Sequence, residues 1–248
     1  MTRFFVRPEQ LQDSLATLEE DDTYHLRVVL HAKAGDAVTV LDGTGRAFPG
    51  RLESVGKTQA MVRVGEAVLP QTEPATRITV AQALPKMAEK MEQVLQHGTE
   101  IGASSFWAYA GERGLTHLTG ERQTKRLARW SGIIKTAAEQ SHRALLPSLR
   151  VDGILSDVLA SAPDYDLALL AHPEQSIPLR TMLAATTPLS VLVIIGPESG
   201  FSTAEIAAAR RAGVPNVSLG PRVLRTETAA LTLVSQLLYG LETDNNVR

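Results

Sequence analysis

Apolar positions along this chain follow two rhythms, and the change between them falls near residue 70. Before it they come in short runs broken by turn residues: Phe4-Phe5-Val6, His25 to Leu30, Ala37 to Leu41, Ala47 to Val55 and Ala60 to Val64. Short β-branched runs of this kind predict strands. Pro8-Glu9-Gln10-Leu11 predicts the start of a helix, and Asp42-Gly43-Thr44-Gly45 a hairpin turn. Several short strands separated by turns predict a small barrel over residues 1–70. Leu69-Pro70-Gln71-Thr72-Glu73-Pro74 has two prolines and no periodicity, so it reads as a linker.

From residue 75 to 248 strands alternate with helices. Ile78 to Ala83, Phe106 to Tyr109, Leu167 to Ala171, Val191 to Ile195 and Asn216 to Leu219 are predicted strands. Met87 to His97 and Leu127 to His142 are predicted helices. Such alternation implies an α/β domain with a parallel sheet. Val191 to Ile195 is continuously apolar and stopped by Gly196-Pro197, as a strand buried on both faces should be. Thr203-Ala204-Glu205-Ile206 opens a helix that closes at Arg211-Ala212-Gly213, with glycine where a left-handed cap is wanted. Thr226 is placed to cap a long last helix, with Ala230, Val234, Leu237, Leu238 and Leu241 on one face.

Two loops therefore leave the carboxyl ends of two buried strands, which is where open α/β sheets bind ligands. They are Gly196-Pro197-Glu198-Ser199-Gly200 and Leu219-Gly220-Pro221-Arg222-Val223-Leu224-Arg225-Thr226-Glu227-Thr228-Ala229. Their glycines let main chain approach a ligand closely, and Pro197 and Pro221 fix the turns. Neither loop carries a phosphate-cradling pattern.

Composition narrows the class. A chain of 248 residues with 44% hydrophobic content can bury a proper core. No apolar run approaches bilayer-spanning length, the start lacks a secretory hydrophobic region, and there is no cysteine. A cytoplasmic location is expected. Net charge is −2, yet Arg113, Arg122, Lys125, Arg126, Arg129, Lys135, Arg143 and Arg150 crowd one stretch. That stretch is either a phosphate-contacting patch or a solvated helix face. His25, His31, His97, His117, His142 and His172 lack metal-ligand spacing, so no metal is expected. Trp107 and Trp130 read as packing residues.

The two loop motifs closely resemble those of the bacterial 16S rRNA uridine N3-methyltransferases (ribosomal RNA small subunit methyltransferase E) of the SPOUT superfamily. Ser199 stands where the family usually has glycine, a strained choice if the position needs positive φ. The resemblance extends through most of the chain: Arg3-Phe4-Phe5-Val6, His25-Leu26-Arg27-Val28-Val29-Leu30 and Lys33-Ala34-Gly35-Asp36 early on, then Lys86, Glu92, Thr99-Glu100-Ile101-Gly102, Glu112-Arg113, Arg129-Trp130 and Glu139-Gln140-Ser141-His142-Arg143. His31 and His97 replace an Arg and a Lys common in the family.

This resemblance implies a PUA-like barrel over residues 1–70 and a SPOUT domain with a C-terminal deep trefoil knot over residues 75–248. It implies S-adenosylmethionine as methyl donor, small-subunit rRNA or the 30S subunit as substrate, and a homodimer. The donor would be held by Leu170, Ala171 and His172 after one strand, by Ile195, Gly196, Pro197 and Gly200 after the next, and by Leu219, Gly220, Val223, Leu224 and Thr226. Arg3, Arg7, Arg27 and Lys33 on the barrel, with Arg113, Arg122, Lys125, Arg126 and Arg143, would contact RNA. Uracil N3 must lose a proton before it attacks, so the site must favour an anion. Arg225 is the candidate for stabilising it. Glu227 and Glu198 are candidate bases, although Glu227 can equally serve helix donors and Glu198 the loop. The rival readings are a SPOUT enzyme with another target, such as a ribose 2′-hydroxyl, and a non-catalytic RNA-binding assembly protein.

Overall fold

The computed structural model describes residues 2–113, 118–174, 176–184 and 187–242. They divide into two compact units, Met1–Glu73 with Lys135–Leu146, and Pro74–Ile134 with Pro147–Arg248.

The first unit holds β1 (Thr2–Phe5), β2 (Leu11–Gln12), β3 (Leu15–Leu18), α1 (Glu20–Tyr24), β4 (Ala37–Leu41), β5 (Ala47–Val55) and β6 (Ala60–Val64). Its six strands form one sheet in the order β1-β4-β5-β6-β3-β2, with β1 parallel to β4 and the other pairs antiparallel. The β2–β3 hairpin turns on Asp13 and Ser14, both at positive φ, the geometry that matches strand twist. Pro8–Gln10 makes only a single tight turn. The stretch His25–Leu30 is not a strand. It continues α1 as a wider π-type turn over His25–Val29, in which Leu26 faces the core while Val28, Val29 and Leu30 are exposed. Three acidic residues in the first turn of α1 favour that helix start, and they outweigh the β propensity of two valines.

Lys135–Leu146 adds its own packing to this unit. Ala138 and Ala144 join Phe5, Leu41 and Ala47 in a small core, and Glu139 accepts the Phe5 N–H at 3.1 Å. Burial pushes the Glu139 carboxyl up to about 7, against the opposing pull of Lys135.

The second unit runs β7 (Arg77–Ala83), α2 (Ala88–Ile101), β8 (Ser105–Ala110), α3 (Gly120–Gln140, its last turns counted with the first unit), β9 (Ser148–Ile154), α4 (Leu155–Ala160), β10 (Leu167–Ala171), β11 (Ile177–Pro178), α5 (Leu179–Leu183), β12 (Ser190–Ile195), α6 (Thr203–Arg211), β13 (Asn216–Ser218) and α7 (Thr226–Leu241). Seven strands, all parallel, lie in the order β11-β13-β10-β12-β7-β8-β9. Side chains of β12 alternate between two cores. Val191, Val193 and Ile195 pack with α2 and α7, while Leu192 and Ile194 pack with α4 and α6. Helices thus cover both faces, as a parallel sheet requires. β9 escapes the sequence pattern because its edge position leaves most of its side chains polar or exposed. No helix among the described residues is long and apolar enough to cross a membrane.

Candidate active site

The order of the sheet concentrates three strand ends. β12 lies between β10 and β7, so the loops after β10 and β12 open side by side, and the segment from β13 to α7 returns beside them. Together they enclose a cavity of about 540 Å³. Ala171, His172 and Pro173 form one wall; Ile195 to Phe201 form another; Val223 to Thr226 and Ala229 form the third, with Lys90 from α2 at the margin. A hollow of about 630 Å³ adjoins it through Pro173 and Val223, and is lined by Ser218 to Arg222, Arg180 and Gln236.

Most of the residues singled out in the two loops therefore meet at one place. Ala171, His172, Ile195, Gly196, Pro197, Gly200, Val223, Leu224 and Thr226 line the first cavity, as do Glu198 and Arg225. Leu219 and Gly220 line the adjoining hollow instead. Glu227, in the first turn of α7, lines neither, and nor does Leu170. As the next-to-last residue of β10 it points into the core packed against α4 and α6 and is fully buried.

Backbone geometry explains the glycines individually. The Pro197–Gly200 turn closes with the Gly200 N–H donating to Pro197 C=O at 2.9 Å, and Gly200 takes φ of 69°. Ser199 is not among the positive-φ residues and so carries no strain; its hydroxyl donates to Arg113 C=O at 3.2 Å. At Gly196 a Cβ would meet the Phe201 ring at 3.0 Å, whereas at Gly220 it would make only an ordinary contact with the Arg222 guanidinium at 3.8 Å, but φ is 109°. One glycine is there for room and the other for conformation.

Thr226 does not cap α7. The cap position is Arg225, with no side-chain hydrogen bond, and Thr226 is the first helical residue. Its hydroxyl instead donates to Gly196 C=O at 2.6 Å and accepts from Gln82 Nε2 at 2.9 Å, tying both loops to β7. Sequence reading missed Phe201, Gln82 and Lys90. Nothing local marks the last two, since Thr226, Glu198 and Glu227 lie more than a hundred residues from them. At α6 the cap is Ser202, whose hydroxyl accepts from Glu205 N–H while Glu205 accepts from Ser202 N–H.

The two glutamates differ in surroundings. Glu198 accepts the Lys86 N–H at 3.2 Å and pairs with Lys90 at 3.2 Å. Burial works to raise its carboxyl, but its own backbone N–H, Lys90 and Lys86 together hold it below the ordinary carboxylate value. Glu227 is only 8% exposed, and its Oε2 lacks a hydrogen-bond partner, the Lys90 ammonium standing 3.9 Å away. His172 Nε2 is likewise buried without a hydrogen-bond partner. Buried polar atoms left open beside a cavity suit a ligand that supplies the missing bonds. The volume falls within the roughly 300–1,000 Å³ of small-molecule sites.

The basic stretch divides. Arg113 and Arg122 are exposed. Lys125 pairs with Glu121, and Arg126 lies over the Trp130 ring. Arg143 cannot face RNA: it is 3% exposed and pairs with Glu73 at 2.7 Å, because a buried guanidinium needs a carboxylate. Lys135 is held by Asp22, Arg129 by Glu92, and Arg150 lies on Trp107. Both tryptophans are buried. In the first unit Arg27 and Lys33 are exposed, Arg7 pairs with Glu9 and Glu19, and Arg3 donates to His142 C=O. His117 lies outside the described residues.

The RNA methyltransferase domain model matches residues 72–238, which include every element of this site. The chain belongs to the ribosomal RNA small subunit methyltransferase E family. The family's protein from Mycobacterium bovis is 34% identical over 88% of this chain and 83% of its own length. A methyltransferase from Legionella pneumophila, solved with S-adenosylmethionine bound, is 34% identical with a TM-score of 0.88, covering 96% of this chain and 97% of its own. Ribosomal RNA small subunit methyltransferase E from Neisseria gonorrhoeae, also solved bound to S-adenosylmethionine, is 28% identical with a TM-score of 0.86 over 96% and 97%.

Proposed function

We propose that this methyltransferase E family member methylates N3 of a uridine in 16S rRNA, with S-adenosylmethionine as donor. It is an S-adenosylmethionine-dependent enzyme acting on small-subunit rRNA. The observation that carries the reading is the convergence of the Gly196–Gly200 loop and the Val223–Thr226 segment on one cavity, tied together through Thr226. The donor supplies a methyl group on a sulfonium, which is already an activated leaving group. Ile195 and Leu224 offer apolar walls, and the open Nε2 of His172 offers a polar contact.

Removal of the N3 proton falls to Glu227 in this reading. Glu198 is engaged by Lys86 and Lys90 and is a weak base, whereas Glu227 keeps an unbonded oxygen. Arg225, exposed at the cavity rim, faces the charge that develops over uracil O2 and O4. N3 lies on the Watson–Crick edge, so the target nucleotide must be unpaired or turned out of its stack.

We assign residues 1–70 to a PUA-like barrel that grips RNA, and residues 75–248 to a SPOUT domain whose last strands thread a trefoil knot. The insertion of β12 between the earlier β10 and β7 supports that topology. A homodimer in the cytoplasm completes the assignment. Val223 and Tyr239 are more than nine-tenths exposed and supply apolar surface for a second copy. Light scattering across a dilution series should give the dimer mass, and a fully active monomer would refute it.

The deciding experiment is nucleoside mass spectrometry of small-subunit rRNA from cells with and without the gene. Loss of N3-methyluridine is expected. Loss of a ribose-methylated nucleoside would instead favour a different SPOUT target, and an unchanged profile an assembly protein.

Arg122, Lys125 and Arg126 test the RNA contact. Reversing all three to Glu should weaken RNA binding and flatten its salt dependence, with donor affinity unchanged, because each lost phosphate contact removes counterion release. Unaltered RNA affinity at low salt would leave these side chains as a solvated helix face.

A further inference from the structure

Lys90 stands in the first turn of α2, and its ammonium reaches two carboxylates that arrive from distant parts of the chain. Nζ is 3.2 Å from Glu198 Oε1 on the loop after β12 and 3.9 Å from Glu227 Oε2 in the first turn of α7. The Lys90 side chain is only 22% exposed and lines the cavity. Glu198 belongs to the wall that would hold the donor, and Glu227 to the side where the acceptor proton leaves. A single cation between them both attracts each carboxylate and offsets their mutual repulsion.

We propose that Lys90 is a positioning residue that couples the two halves of the site, fixing the donor loop through Glu198 and the proton-accepting carboxylate through Glu227. The second arm rests on the reading of Glu227 as base; the first does not. The geometry assigns this part to lysine because a flexible stem can place one compact charge between two partners on different elements. Lys86 shares the work at one end only, through its backbone N–H on Glu198. Without Lys90 that bond and Glu198's own backbone N–H still hold the carboxylate, so the donor loop should loosen rather than collapse. Glu227 would lose the only cation that the structure places within 4 Å of its carboxylate among the described residues.

Coupling measurements test this. Lys90→Met should weaken S-adenosylmethionine binding roughly tenfold by calorimetry. Single-turnover methylation at saturating donor should fall about 100-fold. Lys90→Arg should recover most of both. In a Glu198→Gln background Lys90→Met should cost little further donor affinity, and in a Glu227→Gln background little further rate, since partners in one network are not additive. Fully additive effects in both backgrounds, or no rescue by arginine alongside a lowered melting temperature, would overturn the proposal and leave Lys90 a packing residue. If Glu227→Gln alone methylates normally, the base reading fails, and the affinity cycle with Glu198 still decides the coupling of Lys90 to the donor loop.

Discussion

A Gly196→Val variant should fold but lose measurable S-adenosylmethionine binding. The first atom added at this position meets the Phe201 ring at 3.0 Å, and two further ring carbons lie at 3.2 Å. Phe201 is itself buried in the core shared with α4 and α6 and lines the cavity, so a branched side chain must drive the ring into the cavity or strain the loop. Overpacking of this kind costs about 1–3 kcal/mol of stability. The loss in donor affinity should be larger, beyond about 100-fold, or roughly 3 kcal/mol, because the displaced ring takes ligand volume. Gly220→Val differs in mechanism. No atom blocks it, and the cost is that of holding a β-branched residue at φ of 109°. Both variants should melt lower. Calorimetry beside thermal melts separates them, because the loss of donor affinity exceeds the loss of stability at Gly196 and only follows it at Gly220. Normal affinity in a folded Gly196→Val would remove the loop from the donor site.

Arg225→Lys should cost about 100-fold in single-turnover methylation, comparable to losing one preorganised donor to a developing anion. Lysine keeps the charge but loses the planar pair of donors that can meet a delocalised anion. Donor affinity should stay within a few-fold of normal, the signature of an interaction made mainly in the transition state. Glu227→Gln should show a similar fall, partly relieved at higher pH as solvent hydroxide takes over deprotonation. If the two residues merely brace the start of α7, melting temperature and donor affinity would drop together instead. Arg225 has no side-chain role in capping α7, which favours the first outcome. Normal rates in Arg225→Lys would shift anion stabilisation to the N-terminus of α7.

The parallel strands were legible because burial on both faces leaves an unmistakable apolar run, as at Leu167–Ala171 and Ser190–Ile195. The helix at His25–Val29 was hidden by valines that turn out to face solvent, and β9 by its polar edge position. At the site, the loops could be read as loops, because glycine and proline report backbone shape locally. What joins them could not. Thr226 looks like a cap from its neighbours alone, and only the fold reveals Gly196 C=O beside its hydroxyl. Arg143 reads as one more basic residue until Glu73, seventy positions away, is seen against it. Local sequence carries conformation, and partners distant along the chain carry electrostatics.

The central position of β12 also bears on how the chain reaches its native state. It is the middle strand of the seven among the described residues, yet of these only β13 is made after it, and its hydrogen-bonding partner β7 lies more than a hundred residues earlier. Closing so long a loop costs entropy before any pairing compensates, which slows folding. During synthesis β7 and β10 must wait with facing edges unpaired until Ser190–Ile195 has emerged from the ribosome. The cavity proposed to hold the donor is built on the ends of these same strands, so it appears only at the last stage of assembly. A cellular pool of donor that binds only the finished form will then draw partly folded chains toward completion by mass action.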